Sequence, residues 1–207
     1  MMDEITLLEV PFADKESVRA LGARWDGQKR KWVVPPGLDR QLFAHWLPRY
    51  EQTFNLRAIA PFYLVTSQEV CWKCGTSSPV ITFAAEGIEG QAEDGDPTWV
   101  TFCYVANVPE RLRRFLTLRH PFYFRDYSNT VQTYYYLNHC ASCSTKIGDY
   151  YLHSEPGGGF FPTSEVEARR IVLLELKREG YVQLHADYAV VYPSLMAQYA
   201  QRIPFTE

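Results

Sequence analysis

Apolar and polar positions at the start of the chain change period every few residues. ITLLEV reads as a short strand, and FADKESVRALGARW as a helix with Val18 and Leu21 on one face and Gly22 as its stop. WDGQKRKWVV reads as a turn carried by Asp26-Gly27, then a strand that ends at Pro35-Pro36. GLDRQLFAHWL reads as a closing helix with Leu38, Leu42, Phe43 and Trp46 inward. Residues 1–52 are therefore expected to form a small β-α-β-α unit, near the lower size limit for independent folding.

Beyond a connection, APFYLVTS, PVITFAAEG and TWVTFCYVANV have the β-branched and aromatic content of strands. PERLRRFLTLRH reads as a helix opened by Pro109 and made basic by Arg111, Arg113, Arg114 and Arg119. Tyr134, Tyr135 and Tyr136 read as a half-buried aromatic edge suited to a partner, and IGDYYL as a strand. Gly157-Gly158-Gly159 reads as a flexible turn; it lacks the Lys-Ser/Thr of a phosphate loop. TSEVEARRIVLLELKREG reads as a long helix capped by Ser164, with Glu167 completing a capping box and Gly180 as its stop. YVQLHADYAVVYP reads as extended and SLMAQYAQRI as a last short helix. The expected class is α+β, with residues 60–207 forming a mixed α+β domain after the N-terminal unit.

With 207 residues, 46% of them hydrophobic and 22% charged, the chain can bury a core without disulfide staples. A net charge of −3 excludes a protein that coats nucleic acid by bulk charge, while leaving room for a local basic patch. MMDEITLLEVPF lacks the basic start and apolar run of an export signal, and no stretch approaches the roughly 20 apolar residues of a membrane span. A cytoplasmic protein is expected. The acidic stretch EGIEGQAEDGDP reads as an exposed, mobile loop, and Glu93, Asp94 and Asp96 do not fit an EF-hand register.

The segment LLEVPFADKESVRALGARWDGQKRKWVVPPG resembles the domain-of-unknown-function family 5710, with Leu21-Gly22-Ala23-Arg24-Trp25-Asp26 intact. That family occurs beside plasmid primases and other DNA-processing modules, which implies a nucleic-acid neighbourhood. The same residues support it independently. Arg24, Lys29, Arg30 and Lys31 gather four cations around one turn with Trp25 and Trp32 close by, a mixture suited to phosphate contact and base stacking. The bland account is a small tryptophan core with solvated charges.

Five cysteines in a reducing compartment point to metal or simple burial. Cys71/Cys74 and Cys140/Cys143 share the Cys-x-x-Cys spacing, and two such knuckles supply the four thiolates of a zinc ion. An inserted hairpin and helix between them leaves such a site feasible, because loop closure grows slowly in cost. Gly75 follows the first knuckle, whereas Ser144 takes the equivalent place in the second. An iron-sulfur cluster and a redox pair use the same residues. Cys103, within an apolar run, reads as an inert buried thiol; either His139 or His153 could replace one thiolate in the shell, but both read more readily as surface residues or neighbours of the shell.

No nucleophile elbow, Walker loop or kinase signature is present. The expected function is a non-enzymatic zinc-binding module, associated with nucleic acid or recruiting a protein partner in bacterial, plasmid or phage DNA metabolism. The rivals are a protein-binding adaptor or inhibitor, a redox or metal-cluster protein, and an enzyme fragment related to primases or nucleases.

Overall fold

Short apolar triplets separated by glycine, proline and aspartate leave the N-terminal chain little choice but small elements packed face to face. In a computed structural model, residues 6–27, 29–48, 53–90, 99–190 and 194–204 are described. Their contacts divide the chain into two units, Met1–Thr53 and Phe54–Glu207.

In the first unit, β1 (Thr6–Leu8) pairs with β3 (Lys31–Val34), which pairs with β2 (Arg24–Asp26), all antiparallel. Helix α1 (Lys15–Ala20) follows a 3-10 turn and ends at Gly22, whose φ of +99° and amide bond to Arg19 O make the expected stop. The expected β-α-β-α pattern becomes β-α-β-β closed by a 3-10 helix, Arg40–Trp46. At three residues per turn this last element turns Phe43 inward and leaves Leu42 out, where an α-helical reading had placed both inside. Leu21 and Leu38 are also exposed. The core is Leu8, Val18, Ala23, Val34 and Phe43, with Trp32 and Trp46 against it.

The second unit is richer in strand than expected. A seven-stranded sheet runs β13-β11-β5-β6-β7-β12-β4, built from β4 (Leu56–Ile59), β5 (Phe62–Val70), β6 (Ser77–Ala85), β7 (Val100–Asn107), β11 (Val172–Lys177), β12 (Tyr181–Val190) and β13 (Gln201–Pro204). Among the described strands of this sheet, only the β11–β13 pair is parallel. The chain leaving β6 hydrogen-bonds the free side of β4, Ile59 N–H to Gly87 O and Glu89 N–H to Arg57 O, so the sheet curls. A second sheet, β8 (Tyr123–Ser128), β9 (Thr133–His139) and β10 (Lys146–Ile147), packs against it with α2 (Glu110–Arg119), which Pro109 opens as expected. Phe62, Phe83, Phe102, Tyr123 and Tyr136 fill the core between them.

Four expectations are corrected here. The long helix at 163–180 is a four-residue helix, α4 (Glu165–Ala168), followed by β11. Ile171 and Leu173 enter one core while Leu174 and Leu176 pack on another, so the apolar run is a strand buried on both faces. Gly180 is the φ +80° turn between β11 and β12. The expected capping box is kept on the short helix: Ser164 Oγ accepts from Glu167 N–H, and the Glu167 carboxylate accepts from the Ser164 amide as well as from Thr163. IGDYYL is not a strand beyond Ile147: Gly148 starts α3 (Asp149–Ser154), which buries Asp149 and Leu152 one helical turn apart. The triple glycine is not a loose turn, because a Cβ on Gly158 would lie 2.4 Å from Tyr151 O. Tyr135 and Tyr136 are buried, so the aromatic edge is core rather than partner surface. The last helix, α5, is Leu195–Tyr199. Glu93, Asp94 and Asp96 lie outside the described residues.

Candidate metal centre and basic hairpin

Two turns present the cysteines, and each is made the same way. After β5, Cys71 N–H donates to Thr76 O and Gly75 N–H to Cys71 O; after β9, Cys140 N–H donates to Thr145 O and Ser144 N–H to Cys140 O. Both turns need a left-handed residue after the second cysteine. Gly75 supplies it at φ +72° and Ser144 at +56°.

Three polar side chains seat one turn on the other. Asn138 on β9 imitates a strand neighbour of β6: Ile81 N–H donates to its Oδ1 at 2.8 Å, and its Nδ2 donates to Ile81 O at 2.9 Å. Ala141 N–H donates to Ser78 Oγ, and the Trp72 indole N–H donates to Lys146 O at 3.0 Å. Sequence reading missed all three, since a lone Asn or Ser within a strand carries no local signal.

The result is a tight cage. The four sulfurs of Cys71, Cys74, Cys140 and Cys143 lie within 4.8 Å of one another. Two separations between the turns are 3.7 Å, from Cys71 to Cys143, and 3.6 Å, from Cys74 to Cys140. These are far beyond a disulfide bond of about 2.05 Å. A zinc ion with four Zn–S bonds of about 2.3 Å holds its sulfurs about 3.8 Å apart, so the donor set fits one tetrahedral ion. Cys71 and Cys140 are buried in a core of Val65, Val80, Ile147 and Leu152, while Cys74 faces solvent.

Bonds from the Thr76 amide and hydroxyl pull the Cys74 thiol down to about 6. Cys140 is lowered by the amides of Cys143 and Ser142 against burial. The Thr145 amide acts likewise on Cys143, but burial and the neighbouring thiols outweigh it and push that thiol up to about 12. Crowded sulfurs cannot all ionise without a cation among them, whereas a divalent ion stabilises every thiolate at once.

Neither histidine joins the cage. His139 stacks on Phe124 at 3.9 Å and holds Asp126 at 3.3 Å. Burial opposes ionisation of Asp126, yet His139, Lys146 and the Tyr127 amide hold it well below the usual carboxylate range. His153 is pushed down to about 3 by burial and lies beside Phe160. Cys103, on β7, is pushed up to about 12 by burial and by the charges of Asp149 and Asp187, which leaves it unreactive.

The basic hairpin is partly assembled. Strand alternation puts Arg24, Asp26 and Lys31 on one face of β2–β3 and the cross-strand pair Trp25 and Trp32 on the other. The indoles meet edge to face at 5.9 Å. Trp32 packs on the core, as the bland account expects, whereas Trp25 is 56% exposed. Lys29 and Arg30 are exposed in the turn, where Lys29 N–H donates to Asp26 Oδ1. Trp25, Trp32, Arg30, Lys31 and Pro11 line an open groove, joined by Glu9 as its acid.

Residues 6–48 match the model of a family described as a domain of unknown function, DUF5710. The same N-terminal part is similar to two Escherichia coli proteins named DNA primase TraC. One is 56% identical over 43 residues, 21% of this chain and 4% of that protein. The other is 49% identical over 39 residues, 19% of this chain and 3% of that protein. The likeness thus spans only a few per cent of those relatives. No solved structure matches the chain. No helix among the described residues is long and apolar enough to cross a membrane.

Proposed function

We propose that this chain is a non-enzymatic zinc-binding protein that acts as a nucleic-acid-associated module in bacterial, plasmid or phage DNA metabolism. Cys71, Cys74, Cys140 and Cys143 hold one structural zinc ion, and the β2–β3 hairpin meets the nucleic acid. The observation that carries the metal reading is the four-sulfur cage, whose spacing suits a single ion. An iron-sulfur cluster distributes its thiolates over two or more irons and calls for a wider cage. Bound zinc supplies a cross-link between the two turns, and four thiolates leave no open position for water. The chain's own amides at Thr76, Ser142, Cys143 and Thr145 point hydrogens at the sulfurs and offset the excess negative charge.

The nucleic-acid reading rests on the likeness to DNA primase TraC together with an exposed Trp25 that lines one groove with Arg30 and Lys31, with Lys29 exposed in the adjoining turn. An exposed indole offers any base a stacking face, and the cations neutralise phosphates. The test is fluorescence anisotropy of a labelled single-stranded oligonucleotide against the zinc-loaded chain over a range of KCl. Binding should weaken linearly on a log–log plot, with a slope of roughly −2 for about three phosphates neutralised on a single strand. Trp25→Ala should weaken binding at every salt concentration, and the double change Lys29→Ala, Lys31→Ala should flatten the slope. No binding even at low salt would remove this reading and favour a protein-binding adaptor.

A further inference from the structure

The four sulfurs are not equivalent. Cys71 and Cys140 are 1% and 0% exposed, Cys143 is half-buried, and Cys74 alone is exposed, at the tip of the first turn. Across the gap between the turns, Cys74 lies 3.6 Å from Cys140, and the other two sulfurs, Cys71 and Cys143, face each other in the same crossed sense at 3.7 Å. Trp72 to Lys146 and Ala141 to Ser78 hold the two turns face to face, so these distances depend on bonds outside the metal shell as well as within it. Cys103, the fifth thiol, is buried in β7 and takes no part in the cluster.

We infer that Cys74 is an oxidation site: a hydroperoxide enters the zinc–thiolate centre at Cys74, and Cys140 resolves the product into a disulfide that joins the two turns and expels the ion. This rests on the zinc reading above. In the first step the Cys74 thiolate attacks one oxygen of hydrogen peroxide; an S–O bond forms, the O–O bond breaks, and hydroxide leaves and is protonated by buffer acid. Cys74 is then a sulfenic acid. In the second step the Cys140 thiolate attacks the Cys74 sulfur; the S–S bond forms, the S–O bond breaks, and a second hydroxide leaves and is protonated. Two thiolates lose two electrons and one hydroperoxide gains them. Cys71 and Cys143 would remain as the only thiolates for a bound zinc ion, too few for a closed shell, so the oxidised protein would no longer hold it. A second equivalent of oxidant can then join Cys71 to Cys143. A first disulfide within either Cys-x-x-Cys turn is the ordinary expectation for that motif; the partner assigned here is instead Cys140, 3.6 Å away across the gap.

The test treats the full-length Cys103→Ser chain, zinc-loaded and first assayed for metal, with limiting hydrogen peroxide. A chromogenic chelator follows released zinc, and the disulfides are mapped in non-reduced peptides; trypsin cuts after Lys73 and so separates Cys71 from Cys74. The expected result is about one zinc released per peroxide consumed, dimedone capture at Cys74, a first disulfide between Cys74 and Cys140, and return of metal binding after dithiothreitol. A first disulfide at Cys71–Cys74 or Cys140–Cys143, or zinc retained under a hundred-fold or so excess of peroxide, would overturn the inference while leaving the metal reading intact. Absence of zinc in the initial assay would instead sink the metal reading, and the expulsion step with it.

Discussion

Ser144 stands where the first turn has Gly75, and it carries the same left-handed backbone with a Cβ attached. A non-glycine residue in that region is strained by roughly 1–2 kcal/mol. Ser144→Gly is therefore expected to stabilise the zinc-loaded protein by about 1 kcal/mol in urea unfolding at fixed free zinc. Gly75→Ala should destabilise by a similar amount, and for backbone reasons alone, since an added Cβ there meets no atom within 4 Å. Equal stabilities would mean that the turns do not hold this geometry in solution. Asp149 offers a second residue-level test. It is fully buried, and burial pushes its carboxyl up to about 7 despite the hydrogen bond from Tyr104 N–H. The folded state thus holds the proton more tightly than the unfolded chain does. Its contribution to stability is intact at pH values below the ordinary carboxylate range, falls as pH rises from there through about 7, and is flat above. Asp149→Asn keeps an acceptor for Tyr104 and removes the titration. The variant should gain on the parent by roughly 3–4 kcal/mol between pH 4 and pH 8; a constant difference across that range would contradict the burial argument.

At the scale of elements, the metal turns are held by strands that pair across long stretches of chain. Asn138 reaches Ile81, 57 residues away, and supplies both halves of a strand-like bond. Asn138→Ala leaves the Ile81 N–H and C=O unpaired inside the protein, which is expected to destabilise by about 2–4 kcal/mol and to speed zinc loss to a chelator. Unchanged chelation kinetics would show that β9 is seated by the metal alone. The same scale explains what the chain disclosed. Cys71, Cys74, Cys140 and Cys143 were legible because a repeated two-residue spacing is a local pattern with chemical meaning, and the strands of the first metal hairpin were legible from their β-branched residues. Leu173 and Leu174 were not, since a strand buried on both faces gives a continuous apolar run that a helix gives too. In α3, Asp149 and Leu152 mark a helix of only six residues, too short for periodicity to declare itself. Asn138 and Ser78 matter through partners far along the chain, and no window of sequence contains both.

For the molecule as a whole, the two units draw on different physics. Met1–Thr53 has a small core around Leu8, Val18, Ala23, Val34 and Phe43 among its described residues, with Trp25 left outside it beside exposed cations. Phe54–Glu207 has extensive aromatic cores, one of which encloses Cys71 and Cys140. A core of that size does not need a metal merely to collapse, so under the proposed function a zinc ion would have the narrower task of fixing the two turns against each other. Removing it should leave most of the sheet in place and loosen residues 71–76 and 140–145, as hydrogen exchange would report. The central claim is that these four cysteines bind one zinc ion and leave it no open position. X-ray absorption at the zinc edge, made on protein whose metal content is quantified in parallel, addresses this most directly. About one zinc per chain with four sulfur ligands near 2.3 Å is the result the proposal predicts; no bound metal, an iron cluster, or a shell containing a nitrogen or oxygen ligand would contradict it.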